Sequence, residues 1–148
     1  MKDNREEISL VIPARAEYID IVRLTLYGIA TRMGYTYEDI EDMKVAVSEA
    51  CNNVVLHAYE GAEGKVEVKF DISELELSIA VKDDGKSFDL TKIEHSTVPT
   101  VEQPLKDIQV GGLGIFMMQA LMDNVQVRND LGTEVILTKH LNRGEAMT

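Results

Sequence analysis

Glu49, Asn53 and His57 stand four residues apart in the stretch SEACNNVVLHAY. On a helix that spacing stacks a carboxylate, a carboxamide and an imidazole in one stripe. These are groups able to move protons or bind ligands, yet they interrupt a run that otherwise reads as core. A second carboxylate raises the same question. Leu75, Leu77, Ile79, Val81 and Asp83 alternate, so Asp83 continues the buried phase of a strand while Asp84 points the other way. A carboxylate at the end of a core face is costly unless something donates to it. Gly85 follows and permits a turn or a close backbone approach. Two readings stay open: a strand-ending DDG turn, or an acceptor for a ligand's N–H group.

The stretch VGGLGIFMM sets glycines at 111, 112 and 114 directly before an apolar, helix-like segment. Glycines let backbone amides approach a phosphate, and the helix dipole favours the anion. Such glycines also serve close packing, and the stretch alone does not decide between the two. It is no dinucleotide fingerprint, because no suitable strand runs straight into it, and GAEGKV has neither the spacing nor the Ser or Thr of a P-loop. His57, His95 and His140 are scattered, with no pair at metal-ligand spacing, so each reads as structural or exposed.

The elements that must position these residues follow from periodicity. Ile8 to Pro13 reads as an edge-like strand. From Ala14 to Met33 apolar residues recur at three and four, which predicts an amphipathic helix closed near Gly34. That helix also carries Tyr18, Ile21, Leu24 and Tyr27, a broad core face or a partner surface. A second helix is expected from Thr36 to about Tyr59, with Thr36 and Asp39 at its start and Ile40, Met43, Val47, Ala50 and Val54 buried. EGAEGK breaks it. Strands follow at Val66 to Ile72 and Leu75 to Val81, then a loop from Lys86 to Val110 with no period. A third helix covers Ile115 to Met122, and Val125–Val127 with Thr133–Leu141 form a closing hairpin that turns at Asn129 to Gly132. Strands and helices do not alternate strictly. The order predicts an α+β fold, a two-layer sandwich of a mixed sheet with helices on one face.

The chain has 148 residues, 45% of them hydrophobic, which suits one domain over 1–148. No apolar run has the length of a membrane span, and the polar, acidic MKDNREEISL lacks a secretory layout. A single cysteine, Cys51, fits a reducing cytoplasm. With 26 acidic and 15 basic residues the net charge is −11, so direct nucleic-acid binding is not expected. A nucleotide's phosphates would need a cation, backbone amides or a helix N-terminus.

Taken in order, SEACNNVVLHAY, VKDDGKSFD, VGGLGIFMM and LGTEV resemble the boxes of the Bergerat-fold (histidine-kinase-like) ATPases. These ATP-binding domains are shared by gyrase, Hsp90, histidine kinases and MutL. Four boxes in order over nearly the whole chain are a specific signal. VIPARAEYIDIVRLTL, RMGYTYEDIEDMKVAVSEACNN and FMMQALMDNVQV are similar to the small bacterial anti-sigma serine kinases of that family. The resemblance implies a cytoplasmic protein kinase that uses ATP and Mg²⁺. Glu49 would match its catalytic base, and Asn53 the asparagine that coordinates the metal bridging the phosphates. Asp83 would accept from the adenine amino group, with Gly85 shaping that pocket and Thr133 supporting it from the opposite side through water. Gly112 and Gly114 would lie at the lid over the phosphates, with the loop as lid. Ser87 departs from the pattern, which has a second glycine there, and the lid offers Lys86, Lys92 and Lys106 but no arginine. Implied partners are a sigma factor of the sigma-B type and an RsbV-like, STAS-domain anti-anti-sigma factor, whose serine is phosphorylated; a homodimer is also implied. A detached histidine-kinase domain would need a phosphoacceptor histidine on a dimerisation helix, which this chain does not offer. A binder that uses ATP only as a conformational ligand would not need Glu49.

Overall fold

A computed structural model describes residues 5–58, 64–83, 113–128 and 132–142. Five strands form one sheet in the order β1-β2-β3-β5-β4: β1 (Glu6–Pro13), β2 (Lys65–Ile72), β3 (Glu76–Lys82), β4 (Asn124–Arg128) and β5 (Glu134–His140). Every adjacent pair is antiparallel, where the chain order suggested a mixed sheet. The cause lies in the connections. Two successive helices join β1 to β2 and return the chain to the end it left, so these neighbours oppose each other. A single described helix lies between β3 and β4, which do run parallel, but β5 is inserted between them and pairs with both.

The strands alternate as expected. Val66, Val68 and Phe70 on β2, Leu77, Ile79 and Val81 on β3, and Val135 and Leu137 on β5 turn one face into the core. Among the described residues three helices cover that face: α1 (Ile19–Met33), α2 (Tyr37–Asn53) and α3 (Leu113–Leu121). They bury Val22 and Leu26, Met43, Ala46, Val47 and Ala50, and Met118 respectively. Each large apolar side chain so enclosed contributes roughly 1.5–3 kcal/mol relative to exposure.

Helix ends follow local chemistry. Gly34, at φ 99°, closes α1 by donating to the Ala30 and Thr31 carbonyls, a backbone conformation that suits a residue without Cβ. Thr36 caps α2, its hydroxyl accepting from the Asp39 N–H at 3.1 Å, with Glu38 and Asp39 in the first turn. Two boundaries differ from the periodicity. Arg15 offers no side-chain cap, and the chain enters α1 through a 3₁₀ turn at Ala16–Tyr18. The second helix widens after Asn53 into a π-helical segment, Val54–Ala58, a form frequent near functional sites. On α1 the residues Ile21, Leu24 and Tyr27 remain exposed, Leu24 at 71%.

Candidate active site

α2 carries Glu49 and Asn53 on successive turns, beside the stripe that buries Val47, Ala50, Cys51 and Val54. Both polar residues are half-buried. α3 packs across this part of α2, and its second residue, Gly114, lies directly on the pair. A Cβ added there would stand 3.0 Å from Glu49 Oε1 and 3.4 Å from Asn53 Nδ2. Gly114 thus leaves space in which both side chains converge, and a methyl there would press on them unless they gave way by a few tenths of an ångström.

The second group of residues forms at the ends of β3 and β5. Asp83 is 4% exposed. Its N–H donates to the Thr133 carbonyl at 3.2 Å, and its Oδ2 accepts the Thr133 N–H at 3.1 Å. The buried carboxylate thus gains a main-chain donor, which resolves the cost raised by its phase. Thr133 meets it through the backbone N–H directly. Gly132, at φ 94° and buried, turns the chain just before this contact. Periodicity placed Gly132 only in a hairpin turn, and its tie to Asp83 becomes visible only once β5 lies beside β3.

Another contact escaped the sequence. Arg23 on α1 donates to Ser48 Oγ at 2.7 Å and also pairs with Asp20; Ser48 in turn donates to the Lys44 carbonyl at 2.7 Å. This joins α1 to the residue preceding Glu49. The available signal was an arginine three residues after an acid, which is too common on helices to single out. Cys51 is buried on the same helix, and burial pushes its thiol up to about 12, with Arg23 opposing the shift.

Among the described residues no group of three or more His, Cys, Asp or Glu side chains is arranged to hold a metal. His140 is exposed, 3.5 Å from Glu76 Oε1 and 3.9 Å from Asp123 Oδ2. Gly85, Gly112, His95, Ser87, the side chain of His57 and the Lys86–Val110 loop lie outside what is described. A depression lined by Lys69, Ser78, Ala80 and Ile136 opens on the face of the sheet opposite the described helices, away from Glu49.

Residues 12–139 match the family described as histidine kinase-like ATPase domain. The serine-protein kinase RsbW of Bacillus subtilis (strain 168) is 46% identical over 144 residues, covering 96% of this chain and 90% of the relative. RsbW of Bacillus thuringiensis (strain Al Hakam) is 42% identical over 97% of this chain and 90% of its own length. A crystal structure of the RsbU and RsbW domains of a Mycobacterium tuberculosis protein superposes with a TM-score of 0.65 at 21% identity. It covers 92% of this chain, which spans 32% of that longer one, and it bears out the α+β sandwich. No helix among the described residues is long and apolar enough to cross a membrane. An ATPase-domain match and serine-kinase relatives together make ATP the nucleotide this chain uses, and the chain belongs to the histidine kinase-like ATPase domain family and, within it, to the RsbW serine-protein kinases.

Proposed function

We propose that the chain is an anti-sigma factor that phosphorylates a serine on an RsbV-like, STAS-domain antagonist, using ATP, and sequesters a sigma-B-type sigma factor. The observation that carries this reading is the convergence of Glu49 and Asn53 on the space left by Gly114. A carboxylate and a carboxamide meet there at the start of a helix, an arrangement suited to a transferring phosphoryl group.

In the reaction, the serine oxygen forms a bond to the γ-phosphorus as the bond to the β–γ bridging oxygen breaks. Glu49 orients the hydroxyl and takes its proton. Amides at the start of α3, Gly114 among them, face the developing negative charge, and the family resemblance gives Gly112 a place in the lid. Asn53 would hold Mg²⁺, which would supply positive charge against the mutual repulsion of the phosphates. The described residues offer no cluster of three or more ligating side chains, which would fit an ion held by one protein side chain together with the substrate's phosphates and water. Asp83 accepts from the adenine amino group, with Thr133 behind; the family resemblance assigns Gly85 to shaping that pocket.

The reading further takes residues 1–148 as one domain, a cytoplasmic location, a homodimer, and no direct contact with nucleic acid or membrane. Exposed Ile21, Leu24 and Tyr27 on α1 are the candidate partner surface. Phosphorylated antagonist no longer competes, and sigma stays bound.

The test is transfer from γ-labelled ATP to a purified RsbV-type protein. Parent chain is expected to label the antagonist on serine, and Glu49→Ala to lose this by about 10²–10⁴-fold while still binding ATP. ATP binding without transfer in the parent chain would instead mean a nucleotide-gated binder.

A further inference from the structure

Lys139 stands where the alternation of β5 calls for an apolar residue. Val135 and Leu137 face the helices, and Lys139 follows in the same phase, opposite the buried Leu77. Its side chain is only 13% exposed, an expensive place for an ammonium without partners. Nζ donates to the Leu121 carbonyl at 2.7 Å and lies 4.0 Å from Asp39 Oδ1. Leu121 ends α3, so the cation meets a carbonyl that has lost its helical partner, at the negative end of the helix dipole. Asp39 lies in the first turn of α2. Tyr35, just before that helix, donates its hydroxyl to the Lys139 carbonyl at 2.5 Å. The same end of α3 is fixed further by the Asp123 N–H on the Thr138 carbonyl, 3.0 Å, and the His140 N–H on Asp123 Oδ2, 2.7 Å.

The two helices that build the phosphoryl end of the site are therefore tied at their other ends. Lys139 joins the start of α2 to the finish of α3, while Glu49 and Asn53, late in α2, meet Gly114, early in α3. A change of tilt at the tie moves Gly114 relative to Glu49. We infer that Lys139 is a positioning residue for phosphoryl transfer: its ammonium, shared between the Leu121 carbonyl and Asp39, sets the angle of α3 that keeps Gly114 against Glu49 and Asn53. This rests on the reading of Glu49 as the base. The Asp83–Thr133 contact sits on β3 and β5 and does not pass through α3. Turnover responds to the tie, and adenine binding does not.

The experiment measures kcat for transfer to a purified RsbV-type protein, beside ADP affinity, well below the melting temperature. The full-length variants are Lys139→Met, Lys139→Arg, Asp39→Asn and Glu49→Gln. Misplacing a reacting group by an ångström costs up to about 10²-fold, so a partial loss of about tenfold in kcat is expected for Lys139→Met, with ADP affinity within about threefold. Lys139→Arg, which keeps a cationic donor, recovers at least half of the lost rate, and Asp39→Asn loses about two- to threefold. A folded Lys139→Met with kcat within twofold of the parent overturns the inference. So does an equal fall in kcat and ADP affinity, the mark of a merely structural lysine. Should Lys139→Met not fold, Asp39→Asn decides: a parental kcat overturns the inference and the stated loss supports it. Transfer retained by Glu49→Gln removes the reading of the base itself. Transfer lost there but kept by Lys139→Met removes the tie alone.

Discussion

The two ends of the site are built differently. Asp83 and Thr133 are joined through main-chain groups, by an N–H to a carbonyl and an N–H to a carboxylate on the same residue pair. That pair extends a β3–β5 ladder running from Glu76↔His140 to Lys82↔Glu134, so its geometry is inherited from regular strand pairing. Glu49, Asn53 and Gly114 share no such ladder. Two of them are side chains on α2, the third is a gap on α3, and packing around Ala50, Cys51 and Met118 holds the helices together. On the proposed assignment, recognition sits on the stiffer scaffold and chemistry on elements that can tilt. A mutation can cripple one without the other.

That separation can be broken from either side. After the loss expected for Glu49→Ala, the largest effect should come from Asp83→Ala. Removing a buried acceptor and stranding the Thr133 N–H should weaken ATP binding about 30- to 100-fold, measured by titration calorimetry. If Glu49→Ala weakens binding as much, the two ends are not independent. Gly114→Ala works on the opposite end: its methyl would press on Glu49 Oε1 at 3.0 Å. We expect about tenfold lower kcat with ADP affinity little changed, since only the phosphoryl end is displaced.

Cys51 tests the packing that supports that end. Its thiol is raised from the ordinary value near 9 to about 12 by burial, so the folded state keeps a proton that the unfolded chain releases. The stability it contributes is whole below pH 9 and fades as pH climbs toward 12, with a slope of about 1.4 kcal/mol per pH unit. Denaturant melts should show Cys51→Ala losing less across that window than the parent. Buried Tyr35 is raised as well and steepens the loss above pH 10 in both proteins. The smallest effect belongs to the strand end. Ser78→Ala removes the hydroxyl pair with Thr138 at 3.0 Å, costing about 1 kcal/mol in a thermal melt. ATP affinity should hold, because the ladder keeps the register.

The ends also differ in how far the sequence disclosed them. Phase along Leu75–Asp83 placed a carboxylate on the core side of a strand, and the structure finds it there. A four-residue spacing placed Glu49 and Asn53 on one stripe, and they share it. What the spacing could not carry was the meeting of α3 with α2, because a glycine's role as a gap depends on what lies across from it. Lys139 illustrates the same limit. Alternation predicts an apolar residue, and only the end of another helix explains the ammonium. The π-helical Val54–Ala58 left no mark in the apolar pattern, which changes little when one turn widens. The antiparallel pairing depended on β5 slipping between β3 and β4, a long-range choice that local order does not encode.

That inserted strand has a consequence during synthesis. Until β5 has left the ribosome, β3 is an open edge, exposed to pairing with the wrong neighbour. Thr133 directly precedes β5, so a nascent chain holding α2 and its Glu49 still lacks half of the Asp83 contact. On the proposed assignment of Asp83 to adenine, the grip on a nucleotide would therefore arrive late, together with closure of the sheet.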